Sequence, residues 1–233
     1  MRISIIIPAY HEAESLTKVL QRLQEFVSLE FECFIVIDNS DDPSQFFVKD
    51  ISEVDSRFEV VLNNVAPGPS GALKTGFARA TGRTIIVLSA DGSEDVSQIA
   101  TMVYLVERGA SIVAASRFMQ GGRLIGSPFI KGALSKLASS TLHYVLRIGT
   151  KDSTNNFKAY SREFIDSVTI ESYQGFEVAL ELVAKAHRSK NTIAEIPTIW
   201  IERKEGVSKF EVYNALVPYL RWFVYAFVGK KMF

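Results

Sequence analysis

Apolar positions along the chain alternate between two rhythms. Short, mostly apolar runs at residues 3–7, 33–37, 58–62, 84–88 and 111–115 are rich in Ile, Val and Phe, the pattern of strands buried on both faces. Between them the spacing becomes helical, as in Leu16, Val19, Leu20, Leu23 and Phe26, with Glu12 and Glu14 where a helix amino terminus favours negative charge. Residues 63–71, rich in Pro and Gly, lead into a further helix predicted to end near Gly82. Strands alternating with helices as far as residue 115 predict a parallel sheet with helices on its faces.

Beyond Ser116 the rhythm changes. Gly121, Gly122 and Gly126 predict a flexible loop, and Ile130, Leu134, Leu137, Leu142 and Val145 predict a helix that covers or shapes a site. Residues 157–160 and 192–199 read as two more strands around a helix from about Phe176 to His187. A last amphipathic helix, 210–228, sets Tyr213, Leu216, Val217, Leu220, Phe223, Val224 and Phe227 on one face. Its apolar stretch holds Pro218 and Arg221 and falls well short of the ~20 residues a bilayer span needs. The expected division is a main domain over 1–209 and this helix over 210–233, packed on the domain, on a second copy, or at a membrane surface.

Composition narrows the function. The 233 residues carry 26 basic and 26 acidic side chains, so no general attraction to nucleic acid is expected and any anion site must be local. The single cysteine, Cys33, excludes an internal disulfide and a multi-cysteine metal site, which suits a reducing cytoplasm. The apolar run at 3–7 is too short for a signal-peptide core, so Met1 is expected to begin the mature fold.

Two strands run directly into acidic loops, Asp38-Asn39-Ser40-Asp41-Asp42 and Ser89-Ala90-Asp91. In open α/β sheets ligands sit beyond the carboxyl ends of the strands, so Asp38 and Asp91 are expected to face one crevice. The glycines at 68, 71, 76 and 82 form neither G-x-G-x-x-G nor a P-loop. There is no G-x-S-x-G elbow, and His11, His143 and His187 lack a metal-ligand spacing. Dehydrogenase, P-loop, serine-hydrolase and zinc-enzyme readings therefore drop out.

What remains is an ordered set: Pro8-Ala9-Tyr10-His11-Glu12, Asp38 to Asp42, Gly71-Ala72-Leu73-Lys74-Thr75-Gly76, Ser89-Ala90-Asp91 and Ser116-Arg117. This order resembles the family 2 glycosyltransferases of the GT-A fold. The segments Asp152-Ser153-Thr154-Asn155-Asn156-Phe157-Lys158 and Arg203-Lys204-Glu205-Gly206-Val207-Ser208-Lys209 are similar to the D-x-T-x-x-F-[KR] and R-x-x-G-x-S-K patterns of the dolichyl-phosphate mannose synthase branch. The resemblance spans nearly the whole chain. It implies a Rossmann-like nucleotide-diphospho-sugar transferase fold, with a mostly parallel sheet and helices on both faces.

The resemblance also implies an inverting transfer of a hexose, of mannose or glucose type, from a nucleotide-diphosphate sugar to a polyprenyl or dolichyl phosphate. Pro8, Tyr10, Glu12, Asp38, Lys74 and Ala90 then match the nucleotide-binding positions. The plainer reading makes Tyr10 a core residue and Glu12 and Asp38 helix-start residues. Asp91 matches the last acid of D-x-D, which holds Mg²⁺ or Mn²⁺ against the donor pyrophosphate, and hard cations with oxygen ligands suit that task. Ser89 replaces the first acid and is a weak ligand at best, so metal affinity is expected to fall and an acid restored at 89 to raise it. Ile37 likewise stands where many relatives carry an acid. Glu94 and Asp95 are expected to begin the next helix rather than to compensate.

A polyprenyl phosphate is already ionised near neutral pH, with a second pKa of about 6, and needs cations rather than a general base. Arg117, Lys131, Arg203, Ser208 and Lys209 are the candidates to hold it, Arg117 and Arg203 acting with Asp91 in the transfer itself. Lys131 reads equally well as a surface lysine. A sugar-hydroxyl acceptor would instead need a carboxylate base, for which Glu177 and Glu181, one helical turn apart, are the candidates; their plainer reading is a structural helix pair. A noncatalytic nucleotide-binding subunit is the third reading, motivated by Ser89 and Ile37. Arg221, Lys230 and Lys231 interleaved with Trp222, Phe223, Tyr225 and Phe227 suit a lipid headgroup region. Peripheral contact with the inner face of the cytoplasmic membrane, or a homodimer contact, is the corresponding expectation.

Overall fold

The isoleucine run at the start of the chain forms β1 (Ile3–Pro8), and its alternating side chains seed two cores. Ile3, Ile5 and Ile7 join a cluster with Leu16, Leu20, Leu23, Ile35, Val103 and Val113, while Ile6 joins the other face with Phe34, Val36, Phe77, Ile85 and Leu182. A strand apolar on both faces is stable only between two helical layers. The computed structural model describes residues 2–12, 14–173, 175–202 and 212–229.

The elements follow in order as α1 (Glu14–Phe26), β2 (Phe31–Ile37), α2 (Ser44–Ser52), β3 (Phe58–Leu62), α3 (Pro69–Arg79), β4 (Thr84–Val87), α4 (Ile99–Glu107), β5 (Ile112–Ser116), β6 (Arg123–Ile125), α5 (Phe129–Leu146), β7 (Lys158–Ser161), α6 (Arg162–Ser167), α7 (Val178–Arg188), β8 (Ile193–Pro197), β9 (Ile199–Ile201) and α8 (Val212–Val228). The main sheet has the order β3-β2-β1-β4-β7-β5-β8. Every neighbouring pair is parallel except those of β7, which runs against both β4 and β5. Six carboxyl ends and the amino end of β7 therefore meet along one edge.

Two expectations are corrected. The run at 192–199 is two strands: β8 ends at the sheet's edge with Pro197, whose missing N–H faces away from β5, Thr198 N–H adds a last bond to Ser116 O at 3.0 Å, and β9 then pairs with β6 instead. The glycine-rich segment expected to be a flexible loop contains β6, which pairs in parallel with β9. On the apolar face of α8, Leu216, Val217 and Leu220 are exposed while Phe223 and Phe227 pack partly against the core, and Trp222 and Ala226 are fully buried. Trp222 lies under the Lys185 ammonium, 4.9 Å from the ring centroid, which turns the helix by its largest ring. Among the described residues no helix is long and apolar enough to cross a membrane.

Candidate active site

The exit loops of β1, β2 and β3 are stitched together by carboxylates. Asp42 accepts from the N–H groups of His11 at 3.0 Å and Ser44 at 2.8 Å, and the Ser44 hydroxyl accepts from Glu12 N–H at 2.9 Å. Burial would raise the Asp42 carboxyl, but the donors from Ser44 and His11 overcome it and hold it below the usual range. Asp38 accepts from Asn63 Nδ2 at 2.7 Å and from Gly68 N–H at 2.8 Å, so it shapes the 63–68 loop as a wall of the crevice. Glu12 also takes the Ser15 hydroxyl at 2.9 Å, the helix-start role. Tyr10 is half exposed, its ring 4.4 Å from that of His11, and is not the core residue of the plainer reading.

Gly71 allows this loop to close. A Cβ there would lie 1.8 Å from Ala66 O, a backbone atom with nowhere to go. Gly71→Ala is expected to cost roughly 1–3 kcal/mol, as overpacking does. It should also weaken nucleotide binding by displacing the wall that Asp38 holds, both effects being readable from urea unfolding and nucleotide titration. Lys74, on the same helix, lines a shallow cleft of about 330 Å³ with Phe77, Arg162 and Asp166 between α3 and α6.

Beyond β4 the Ser89-Ala90-Asp91 loop closes on itself. Asp91 Oδ1 accepts from Ser93 N–H at 3.0 Å, and its other oxygen has no partner among the described residues. Asp95 behaves as expected, capping a short 3₁₀ turn by accepting from Ser97 N–H. Glu94 does not begin that turn. Its side chain folds back so that Oε1 takes the Ser89 hydroxyl at 2.7 Å and Oε2 the Ser89 N–H at 3.0 Å. Ser89, expected to be a weak ligand, spends its hydroxyl on this acid. Glu94 is 4% exposed, and burial together with the charge of Asp91 pushes its carboxyl up to about 7 against the Ser89 donors and the Arg117 charge.

Arg117, at the end of β5, is gripped by an acid 35 residues away. Its Nε and Nη2 donate to the two oxygens of Asp152 at 2.7 and 2.9 Å, its backbone N–H adds a third bond at 3.0 Å, and Nη2 also reaches Thr154 Oγ1 at 3.2 Å. Asp152 is fully buried, and although burial would raise its carboxyl, Arg117 holds it well below the usual range. Among the described residues Nη1 donates to nothing. Arg117 is thus fixed on one side and offers N–H donors on the other. Lys131 falls in the first turn of α5; its side chain, with Arg203, Ser208 and Lys209, lies outside the described residues.

Behind this pair, Lys158 is fully buried and donates to the carbonyls of Asn155 and Ser153, tying the 152–155 turn to β7. Burial pushes its ammonium down to about 7, with Arg117 adding to the shift and Asp152 opposing it. Between pH 7 and the unfolded value of 10.5 the unfolded chain holds a proton that the folded protein has released, so stability rises with pH. The urea midpoint should climb between pH 7 and 9, and Lys158→Met should flatten that climb.

Glu181 is no free base. It is buried, accepts from the N–H groups of Glu171 and Ser172 at 2.6 and 2.8 Å, and pairs with Lys185 at 2.7 Å. Glu177 accepts from Gly175 N–H at 2.8 Å at the start of α7. Their structural reading is the one the geometry supports. The fold-back of Glu94 and the 117–152 pair carried no local signal beyond their motifs, since both depend on loops meeting across the sheet.

A sheet of this order, with one reversed strand and with acidic loops after β2 and β4 at its ligand edge, is an arrangement of the GT-A class. Solved structures agree on the fold. Glucosyl-3-phosphoglycerate synthase from Mycobacterium tuberculosis, crystallised with Mn²⁺, UDP and glucosyl-3-phosphoglycerate, superposes with a TM-score of 0.69 at 16% identity, over 98% of this chain and 79% of that one. The Glycosyl transferase family 2 pattern matches residues 4–169, and the chain belongs to that family and is a glycosyltransferase. It is 29% identical over 226 residues to a dolichol-phosphate mannosyltransferase of Pyrococcus furiosus, covering 95% of this chain but spanning only 62% of that protein's length. It is 27% identical over 230 residues to an undecaprenyl-phosphate mannosyltransferase of Micrococcus luteus, covering 95% of this chain and 94% of that one.

Proposed function

We propose that the protein transfers a hexose from a nucleotide-diphosphate sugar to a polyprenyl phosphate, with inversion at the anomeric carbon. The observation that carries this reading is Arg117, immobilised by buried Asp152 with Nη1 unpaired among the described residues, beside the donor loop. Such a donor suits a phosphate monoester, and the relatives named for dolichol-phosphate and undecaprenyl-phosphate substrates support a lipid one. The monoester oxygen is its own nucleophile; Arg117, joined in this reading by Lys131, Arg203, Ser208 and Lys209, holds it against the like charge of the donor. The structural roles of Glu177 and Glu181 argue against a hydroxyl acceptor.

A divalent ion fits the donor loop. Asp91 has an oxygen free among the described residues, and Ser93 Oγ is buried without a partner. Ions of this kind commonly take one or two carboxylates and complete their shell with substrate phosphates. Bound there, Mg²⁺ or Mn²⁺ would neutralise charge growing on the leaving diphosphate. The apolar lipid chain and a peripheral membrane contact are supported by Leu216, Val217 and Leu220 on α8 and by Leu137, Tyr144 and Val145 on α5, all exposed.

The test is incubation with UDP- and GDP-linked hexoses and undecaprenyl or dolichyl phosphate. Lipid-linked sugar of inverted configuration is expected, with kcat/KM rising as pH passes about 6 and the acceptor gains its second charge. Transfer to free saccharides in preference to the lipid phosphate would overturn the reading.

A further inference from the structure

Glu94 is a buried acid with a geometry that its surroundings alone do not require. Both of its oxygens accept from Ser89, at 2.7 and 3.0 Å, and among the described residues no lysine or arginine forms an ion pair with it. Its backbone is pinned as well, since Arg22 Nη1 donates to Glu94 O at 3.2 Å. A second carboxylate, Asp91, stands close enough for its charge to act on Glu94. Two neighbouring carboxylates, one of them buried, are costly unless a positive partner joins them. Next to Glu94 in the chain, Ser93 is 5% exposed and its hydroxyl has no partner among the described residues.

Resting on the donor-site reading above, we infer that Glu94 supplies the second carboxylate of the cation site, moved along the loop from the position that Ser89 occupies. Ser89 is then the holder of that acid rather than a failed ligand. Each Glu94 oxygen that accepts one hydrogen bond keeps a further lone pair for a hard cation. The two donors from Ser89 fix the carboxylate so that it need not be ordered when the ion arrives. The loop therefore keeps two acids, Asp91 and Glu94. An acid restored at 89 alone would face Glu94 and add repulsion in place of affinity.

The experiment titrates UDP and GDP calorimetrically with and without Mn²⁺, and follows free Mn²⁺ by electron paramagnetic resonance, with circular dichroism as the check on folding. The wild-type chain should show a Mn²⁺-dependent gain in affinity for one nucleotide. Asp91→Asn and Glu94→Gln should each reduce that gain, Glu94→Gln by roughly 10–100-fold. Ser89→Asp should not exceed the wild type, whereas Ser89→Asp combined with Glu94→Gln should recover most of the gain. A folded Glu94→Gln protein that keeps the full gain overturns the inference. Should that single variant not fold, a folded double variant without the gain overturns it equally. Loss in Asp91→Asn but not in Glu94→Gln removes this inference alone, while no gain in the wild type with either nucleotide removes the donor-site reading with it.

Discussion

Arg117→Met should remove transfer activity and much of the stability together. The substitution strands a fully buried Asp152 without its counter-ion, a loss of about 3–5 kcal/mol for one partner of a buried pair. Pairing it with Asp152→Asn separates the two effects, because an amide can stay neutral in the same cavity. The double variant should recover most of the urea midpoint and none of the turnover. Arg117→Lys keeps the charge but not the two-pronged bond to Asp152, so the acceptor would be held loosely; stability should fall less, and turnover about 10²-fold.

Asp91→Asn should behave in the opposite way. The amide oxygen can still accept from Ser93 N–H, so the loop keeps its turn and the fold its stability. With the charge beside Glu94 gone, the metal-free protein should be as stable as the wild type or slightly more so. Turnover should fall by about 10²–10³-fold, the scale seen when one group that stabilises transition-state charge is removed. A urea series and a turnover assay on the same preparation would check both, and an intact rate would discard Asp91 as the donor-site acid.

The contrast between the two sites explains what could be read from the residues alone. The strands around Ile3, Ile35 and Ile86 are legible because a strand buried on both faces leaves a nearly continuous apolar run. The edge that carries the loops followed from their order, and Asp91 and Arg117 with it. Glu94 was misassigned because an acid just before a helix is ordinarily a dipole partner, and only the fold-back onto Ser89 distinguishes it. β6 and β9, three residues each, have no periodicity to detect, and Thr198 breaks a run that composition makes continuous. The buried stripe of α8 depends on where Lys185 waits for Trp222, a tertiary fact absent from the helix's own pattern.

The reversed strand β7 has an architectural consequence. In a wholly parallel sheet each strand delivers only the segment that follows it to the ligand edge. Because β7 runs the other way, the turn at 152–155 arrives there before its strand, beside Arg117. Everything from Arg117 to Lys158, including β6 and α5, therefore leaves and re-enters at the same edge as one excursion. Such an excursion can change in length or sequence without altering the register of β1 to β4.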